Sequence, residues 1–237
     1  MVDVFFPSLG AASAETRLWI ASLPPFFMLI EAIVVGALQV NCYLVVDTNT
    51  QEAVLIDPGD EAEHILHRLS GLGCRIKAIL LTHAHFDHVM GVRKVKEALN
   101  APILLHEAEV GIYEALQEHA SAYGFHPDAP LPADRHIKTG DVISFGTLTL
   151  SVRETPGHSP GGVSYVSEGA SPVVFSGDAL FAGSIGRTDF PNSSFETLER
   201  SIRVRLYTLP DDTVVYPGHG PATTIGREKQ YNPYVRA

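Results

Sequence analysis

From residue 28 onward, the chain alternates short apolar runs with clusters of turn-forming residues. Most of the runs are short and rich in β-branched side chains, which is typical of strands. The pattern predicts strands over residues 31–36, 41–47, 53–57, 76–81, 102–105, 142–145, 147–154, 163–166, 173–176 and 213–216. Elsewhere, apolar residues recur at helical spacing, which predicts helices over residues 61–72, 92–99, 107–118 and 195–206.

The order of these elements predicts the architecture. In both halves of the chain, strands are followed by a helix and then by a strand that ends in a polar loop. This order favours an α+β sandwich, with the sheets inside and the helices outside. Residues 119–136 show little periodicity, so we expect them to cross the surface as an irregular loop. The functional site is expected where the loops at the strand ends meet.

The first 27 residues do not follow this pattern. They lack a basic n-region, and their apolar stretch is interrupted by Pro24 and Pro25, so neither a signal peptide nor a membrane-spanning helix is predicted. We expect residues 1–27 to be a poorly ordered, dispensable extension, and residues 28–237 to form a single domain.

Composition narrows the classes of function. Hydrophobic residues make up 45% of the chain, and 27 acidic residues against 17 basic ones give a net charge of -10. The hydrophobic content is enough for a sizeable core, while the charge argues against a nucleic-acid surface and nothing predicts a membrane partner. Cys42 and Cys74 cannot make a disulfide framework, so we expect a reducing, cytoplasmic location.

The densest chemistry lies in residues 82–91, directly after an apolar run. Four side chains that can bind a metal fall within six residues there: His83, His85, Asp87 and His88. In extended backbone, residues i and i+2 share a face, so the first two histidines can converge on one ion. If the chain then turns into a helix, the other two side chains can be aimed at a neighbouring position. The spacing therefore predicts two adjacent metals.

Three later loops at strand ends supply matching side chains. His158 lies in a turn rich in glycine and proline, Asp178 follows an apolar strand, and His219 ends the last strand. Each of these loops alone is weak evidence, because such residues often cap and turn the backbone. Together with the 82–91 motif they predict one metal centre.

In this order, the residues resemble the metallo-β-lactamase superfamily over roughly residues 29–225. Residues 186–190 and 218–224 resemble the short, single-domain glyoxalase-II-like hydrolases, which are similar to hydroxyacylglutathione hydrolases. The resemblance implies a four-layer αββα sandwich with a binuclear metal site at one edge of the sheets. It also implies that residues 28–237 form a hydrolase domain.

Carried over to this chain, the resemblance implies seven metal ligands. The first metal would be held by His83, His85 and His158, the second by Asp87, His88 and His219, and Asp178 would bridge them. Imidazole and carboxylate suit zinc, which we expect first, as well as iron or manganese. Two such ions can share a hydroxide that acts as the nucleophile, and Asp87 would orient it.

The substrate is expected to be a small thioester, and S-lactoylglutathione is the first compound to test. Because 18 residues follow His219 in the sequence, we do not expect the helical C-terminal region with which two-domain glyoxalase II grips glutathione. Four other residues are assigned to ligand support or substrate contact: Asp57, Arg187, Arg227 and Lys229. Asp57 is expected to accept a hydrogen bond from a metal-binding histidine, and Arg187 to brace the loop around Asp178.

Two other functions remain open. Iron-dependent persulfide dioxygenases resemble the chain in residues 186–190, but they typically use one iron held by two histidines and an aspartate. A non-catalytic metal-binding module is disfavoured because all seven ligand positions are filled. A lactamase is the least favoured of the enzymes considered. The sequence leaves the oligomeric state undetermined.

Overall fold

The computed structural model describes residues 28–169 and 171–236. The predicted extension, residues 1–27, lies outside the described residues, so that prediction remains untested. The described chain forms two six-stranded sheets and a separate two-stranded hairpin.

The first sheet takes its six strands in chain order. They are β1 (Met28–Val35), β2 (Val40–Asp47), β3 (Glu52–Ile56), β4 (Arg75–Leu80), β5 (Ile103–His106) and β6 (Arg135–Ile137). The first three strands pair antiparallel, and β3 to β6 pair parallel. The loops after β4 and β5 therefore leave the same edge of the sheet.

The second sheet is formed by the second half of the chain. Its strands are β7 (Val142–Phe145), β8 (Leu148–Glu154), β9 (Val163–Ser167), β10 (Val173–Gly177), β13 (Val214–Pro217) and β14 (Thr223–Thr224), and the hairpin between them pairs β11 (Leu180–Phe181) with β12 (Ser184–Ile185). The spatial order is β14-β13-β10-β9-β8-β7, in which only β10 and β13 are parallel. That parallel pair brings the residues after both strands to one edge.

Helices cover the outer faces of the two sheets. They are α1 (Ala62–Ser70), α2 (Phe86–Val89), α3 (Val92–Leu99), α4 (Val110–Glu114), α5 (Leu116–Ser121), α6 (Phe195–Ser201) and α7 (Ile225–Tyr231). A π-helical turn, Ile202–Leu206, extends α6, and a 3-10 turn, Glu107–Glu109, precedes α4.

Side-chain alternation along the strands produces the four layers. In β2, Tyr43 and Val45 join a core between the two sheets, while Leu44 and Val46 join a core beneath the helices. All eight residues of β2 are buried, because both of its faces are covered. A third core lies between the outer face of the second sheet and α6. The expected αββα sandwich is confirmed.

Some short elements differ from the sequence prediction. The helix expected over residues 107–118 is divided into the 3-10 turn, α4 and α5, and it reaches Ser121. The loop expected over residues 119–136 contains the start of β6, which pairs with β5 although only Ile137 in it is buried. Backbone pairing, rather than an apolar pattern, forms this strand. The sequence analysis also missed α7, which is mostly polar, and the two-residue strands, which are too short to show alternation.

Candidate metal centre

The motif after β4 forms a sharp turn from strand to helix. β4 ends at Leu80, His85 has extended backbone, and α2 begins at the next residue, Phe86. The rings of His83 and His85 lie edge to face, with their centroids 4.7 Å apart. The helical turn directs Asp87 and His88 to a neighbouring position, as the spacing predicted.

The second sheet supplies three side chains to the same place. His158 lies in the loop between β8 and β9, and Asp178 follows β10 directly. Since β10 and β13 are parallel, the chain after β13 returns to Asp178, and the N–H of Gly218 donates to the carbonyl of Gly177 at 2.8 Å. His219 therefore reaches the edge at which the first sheet presents its motif.

The seven predicted ligands are brought together in two groups of three with one carboxylate between them. In each group, one donor atom per residue lies within 4.8 Å of the others: the first triple is His83, His85 and His158, and the second triple is Asp87, His88 and His219. Asp178 faces both triples. Its Oδ1 is 3.4 Å from Nε2 of His88, and its Oδ2 is 3.5 Å from Nε2 of His158 and 3.7 Å from Nε2 of His219.

Several of the donor atoms lack hydrogen-bond partners, and their spacing suits a bound metal ion. Four of these buried atoms have no hydrogen-bond partner in the described protein: Nε2 of His83, His88 and His158, and Oδ1 of Asp178. A buried polar atom without a partner costs about 1–3 kcal/mol. Two ligands of one tetrahedral zinc ion lie about 3.4 Å apart, which is close to the separations around Asp178. The residues therefore suit a pair of divalent ions.

The other ring nitrogens of these histidines are held by the protein. In four of these histidines, Nδ1 lies 2.8–3.0 Å from an oxygen atom. The pairs are His83 with Thr82 Oγ1, His88 with Asp57 Oδ2, His158 with the carbonyl of Arg187, and His219 with the carbonyl of Leu38. An acceptor at Nδ1 places the proton there and leaves the lone pair of Nε2 free for a metal. These contacts fix both the tautomer and the direction of the rings.

Asp57 supports the centre from behind. Its carboxylate accepts the N–H of Thr82 at 2.7 Å and the hydroxyl of Thr82 at 2.6 Å, in addition to its contact with His88. Asp57 also lies close to His83 and His88 in ligand-like geometry. Because both of its oxygens already accept hydrogen bonds, we interpret Asp57 as an acceptor that orients His88. The sequence analysis expected such a bond to a metal-binding histidine.

The charged side chains of the three predicted basic residues are not among the groups gathered at the metal centre. The guanidinium of Arg187 makes two bonds to Asp189, at 2.6 and 2.8 Å, and stacks over the ring of Phe190; only its backbone carbonyl reaches the centre. Lys229 binds Asp211, which precedes β13, whereas His219 follows that strand.

Arg227 is exposed near the start of α7, where the adjacent Gly226 bonds to Asp211. The structure therefore brings neither Arg227 nor Lys229 to the seven clustered side chains.

Electrostatics distinguish the two triples. Burial and the surrounding imidazoles lower the pKa of His83 well below its usual value and lower that of His85 to about 3. Burial acts against protonation of His88 as well, but the carboxylates of Asp178 and Asp87 raise its pKa well above the usual value. The pKa of His219 is raised despite burial, chiefly by its bond to Asp87. His83 and His85 of the first triple are therefore neutral near pH 7, whereas His88 and His219 of the second triple attract protons.

The carbonyls of Leu38 and Arg187, which orient two histidines, could not be found from sequence, because a backbone carbonyl has no residue signature. Aromatic side chains at the rim were also missed. Phe190 lies 4.9 Å from the ring of His85, and Phe181 lies 6.2 Å from that of His219. In the sequence, Phe190 is part of the 186–190 motif, which was the available signal.

Two packed sheets with a histidine and aspartate centre at one edge define a metallohydrolase fold. The sequence profile of the metallo-beta-lactamase superfamily matches residues 35–219. The chain belongs to that superfamily, as its motifs predicted.

Similar proteins support this assignment. The chain is 40% identical over 212 residues to the hydroxyacylglutathione hydrolase GloC of Haemophilus influenzae, covering 89% of this chain and 99% of that protein. The crystal structure of the BLEG-1 B3 metallo-beta-lactamase has a TM-score of 0.82 at 39% identity and covers 88% of this chain and 100% of its own. The di-iron-bound form of TTHA1623 has a TM-score of 0.78 at 44% identity and covers 86% and 100%.

None of the helices in the described part of the chain is long and apolar enough to cross a membrane. The cytoplasmic location stays a prediction, as do the small-molecule partner and the absence of nucleic-acid and membrane partners.

Proposed function

We propose that the protein is a binuclear metal-dependent hydrolase that cleaves a small thioester in the manner of glyoxalase II. The observation that carries the proposal is Asp178, whose two oxygens lie between two complete triples of donor atoms. The similarity to GloC, a hydroxyacylglutathione hydrolase, supports the thioester class and makes S-lactoylglutathione the first substrate to test.

The first triple and the second triple would each hold one divalent ion, and Asp178 would contact both. When bound, such ions polarise a carbonyl oxygen and bring the pKa of water toward neutrality. Zinc suits these nitrogen and oxygen donors, and iron and manganese suit them as well. The di-iron form of TTHA1623 supports iron as a second metal to test.

Asp87 is the residue that orients the attacking water. Its Oδ2 lies 3.3 Å from Nε2 of His219 and its side chain keeps 14% of its surface exposed, so it borders the opening of the centre. A carboxylate there accepts a hydrogen bond from the water and fixes its direction of attack.

The leaving group needs no dedicated acid. A thiol has a pKa of about 8.5, so it departs as a thiolate near neutral pH. Ser159 and Ser176 are buried beside the ligands. The hydroxyl of Ser176 donates to the carbonyl of Leu180 at 2.8 Å, which is local bonding rather than the arrangement of a nucleophile.

The experiment is a substrate panel on protein loaded separately with zinc, iron and manganese. The panel contains S-lactoylglutathione, a smaller acyl thioester, glutathione persulfide with oxygen uptake recorded, and a β-lactam, because BLEG-1 is a metallo-beta-lactamase. We expect thioester hydrolysis at two ions per chain, abolished by a chelator and restored by metal. Oxygen uptake on the persulfide with one iron, β-lactam cleavage alone, or metal binding without turnover would each refute the proposal.

A further inference from the structure

A carboxylate outside both triples links the two loops that carry the first one. Glu109 lies in the 3-10 turn after β5, and it is fully buried. Its Oε2 accepts the N–H of Ala84 at 2.8 Å, and its Oε1 accepts the N–H of Gly161 at 2.6 Å. Both oxygens act as acceptors, as those of a carboxylate do, and bonds of this kind are about twice as strong as neutral ones.

The two bonded residues occupy particular positions in the chain. Ala84 stands between His83 and His85, and Gly161 lies in the same loop as His158. The first triple is drawn from both sheets, since its first two histidines follow β4 and the third follows β8. One buried side chain therefore spans the junction that determines how far apart these three rings lie.

The packing around Glu109 fixes that junction closely. A Cβ on Gly161 would lie 2.6 Å from Nδ1 of His106 and 3.0 Å from Cγ of Glu109, so only glycine lets the backbone approach. His106 in turn bonds through Nε2 to Glu154, the last residue of β8, at 2.7 Å. The segment from His106 to Glu109 is thus tied to the second half of the chain at two points, Glu154 in β8 and Gly161 in the loop after it.

The second triple has separate supports. His88 is held by Asp57 and His219 by the carbonyl of Leu38. Neither hydrogen bond of Glu109 reaches a residue of that triple.

The sheets are also joined nearby without Glu109. The N–H of Val163 donates to the carbonyl of Thr82 at 2.8 Å, and the hydroxyl of Tyr165 donates to that of Leu81 at 2.7 Å. These bonds should keep the fold when Glu109 is altered.

We propose that Glu109 is a positioning residue that sets the spacing of His83, His85 and His158 and thereby the affinity of the first triple for its ion. This inference rests on the binuclear centre of the proposed function. In Glu109→Gln the side chain keeps its shape, but the amide NH2 cannot accept. One buried N–H then loses its partner, and the two loops move apart.

The test compares Glu109→Gln with Glu107→Gln, an exposed residue of the same turn. Metal content and chelator competition are measured, together with the absorption spectrum of the cobalt-loaded protein. We expect two ions in the wild type and in Glu107→Gln. In Glu109→Gln the affinity for one ion should fall about 10- to 100-fold, with a changed cobalt spectrum and the other ion retained.

Two further backgrounds assign the lost ion. With His219→Ala, which leaves the first triple intact, Glu109→Gln should weaken the remaining ion, whereas with His158→Ala it should not. Glu109→Asp, which keeps the charge on a shorter stem, should give an intermediate loss.

Equal weakening of both ions would overturn the inference, and so would unchanged affinities with a lower melting temperature. Failure of both Glu109 variants to fold would show that the residue serves the fold alone. A wild-type protein that binds fewer than two ions would instead refute the proposed binuclear centre, and the inference with it.

Discussion

The two triples of the candidate centre differ in charge and in access to solvent. The first triple consists of three imidazoles, of which those of His83 and His158 are buried and that of His85 is partly exposed. The second triple contains a carboxylate; its His88 is buried, whereas the side chains of His219 and Asp87 retain 28% and 14% of their surface. The protein therefore places three nitrogen donors, two of them on buried residues, beside a set that includes a carboxylate and has two partly exposed residues.

Both triples share one feature of assembly. Each takes two residues from the motif after β4 and one residue from a loop of the second sheet. Neither triple can form until the two sheets pack, so metal binding and folding are coupled. The triples differ in their support: Glu109 bonds to the two loops that carry the first triple, whereas Asp57 contacts His88 of the second triple directly and His83 of the first only through Thr82.

The largest effect is expected for Asp178→Ala, because this carboxylate is the group that the two triples share. Both ions should bind weakly, and hydrolysis should fall by about three orders of magnitude or more. Metal content and kcat/KM on the best thioester measure this. Asp211→Ala is the control, since Asp211 is exposed at the other end of β13. Retained activity with one ion bound would contradict a shared role.

Asp57→Asn should lower the metal affinities of the two triples unequally. The substitution keeps the shape of the side chain but removes an acceptor from Thr82 or His88. Loss of such a supporting acceptor typically costs 10- to 100-fold in metal affinity. We expect the larger loss at the ion held by His88, which Asp57 contacts directly, and a smaller loss at the first ion, because Asp57 reaches His83 through Thr82. Chelator competition measures both losses. A loss confined to the first ion, as expected for Glu109→Gln, would contradict this assignment.

Acidification should lower the metal affinities of the two triples unequally, without any substitution. The raised pKa values of His88 and His219 mean that an ion entering the second triple must displace protons, while the lowered pKa values of His83 and His85 leave them already neutral. As the pH falls from 8 to 6, affinity for the second ion should drop by about tenfold per unit for each proton displaced. Affinity for the first ion should fall less, because two of its three histidines, His83 and His85, hold no proton that the ion must displace.

Calorimetric metal titrations in buffers of different ionisation enthalpy measure the protons released by each ion. Loss of both ions over the same pH range, or earlier loss of the ion in the first triple, would contradict this difference.

Sequence predicted the centre to the extent that its chemistry is local. His83, His85, Asp87 and His88 are close in the chain, and their spacing fits a strand that turns into a helix. Asp178 and His219 were found because they follow apolar strands, and the parallel pairing of β10 and β13 then brings them together. Their assignment to particular ions required the family resemblance.

The contacts and elements that the sequence analysis missed depend on tertiary packing. Glu109 lies 25 residues from Ala84 and 52 from Gly161, and no periodicity signals such contacts. The strand β6 forms by pairing with β5, and its sequence Arg-His-Ile carries little apolar pattern. A basic residue near the C-terminus likewise does not reveal which end of β13 it will approach, which is why the prediction placed Lys229 near the substrate.

The smallest effect is expected for Lys229→Ala, which tests whether anything beyond the two triples and their supports contributes. Its ammonium bonds to Asp211 at 2.6 Å and to the carbonyl of Leu209 at 3.3 Å, at the end of β13 away from His219. Such a partly exposed ion pair contributes at most about 1 kcal/mol to stability. Because Lys229 lies away from the seven clustered side chains, KM for S-lactoylglutathione and both metal affinities should stay within about twofold of wild type. Asp211→Ala should have the same small effect on the melting temperature, and the double variant should add nothing, because each single variant already removes the pair.

A rise in KM specific to Lys229→Ala would show that this ammonium leaves Asp211 to bind an anionic substrate, and the cleft would then extend well beyond the second triple.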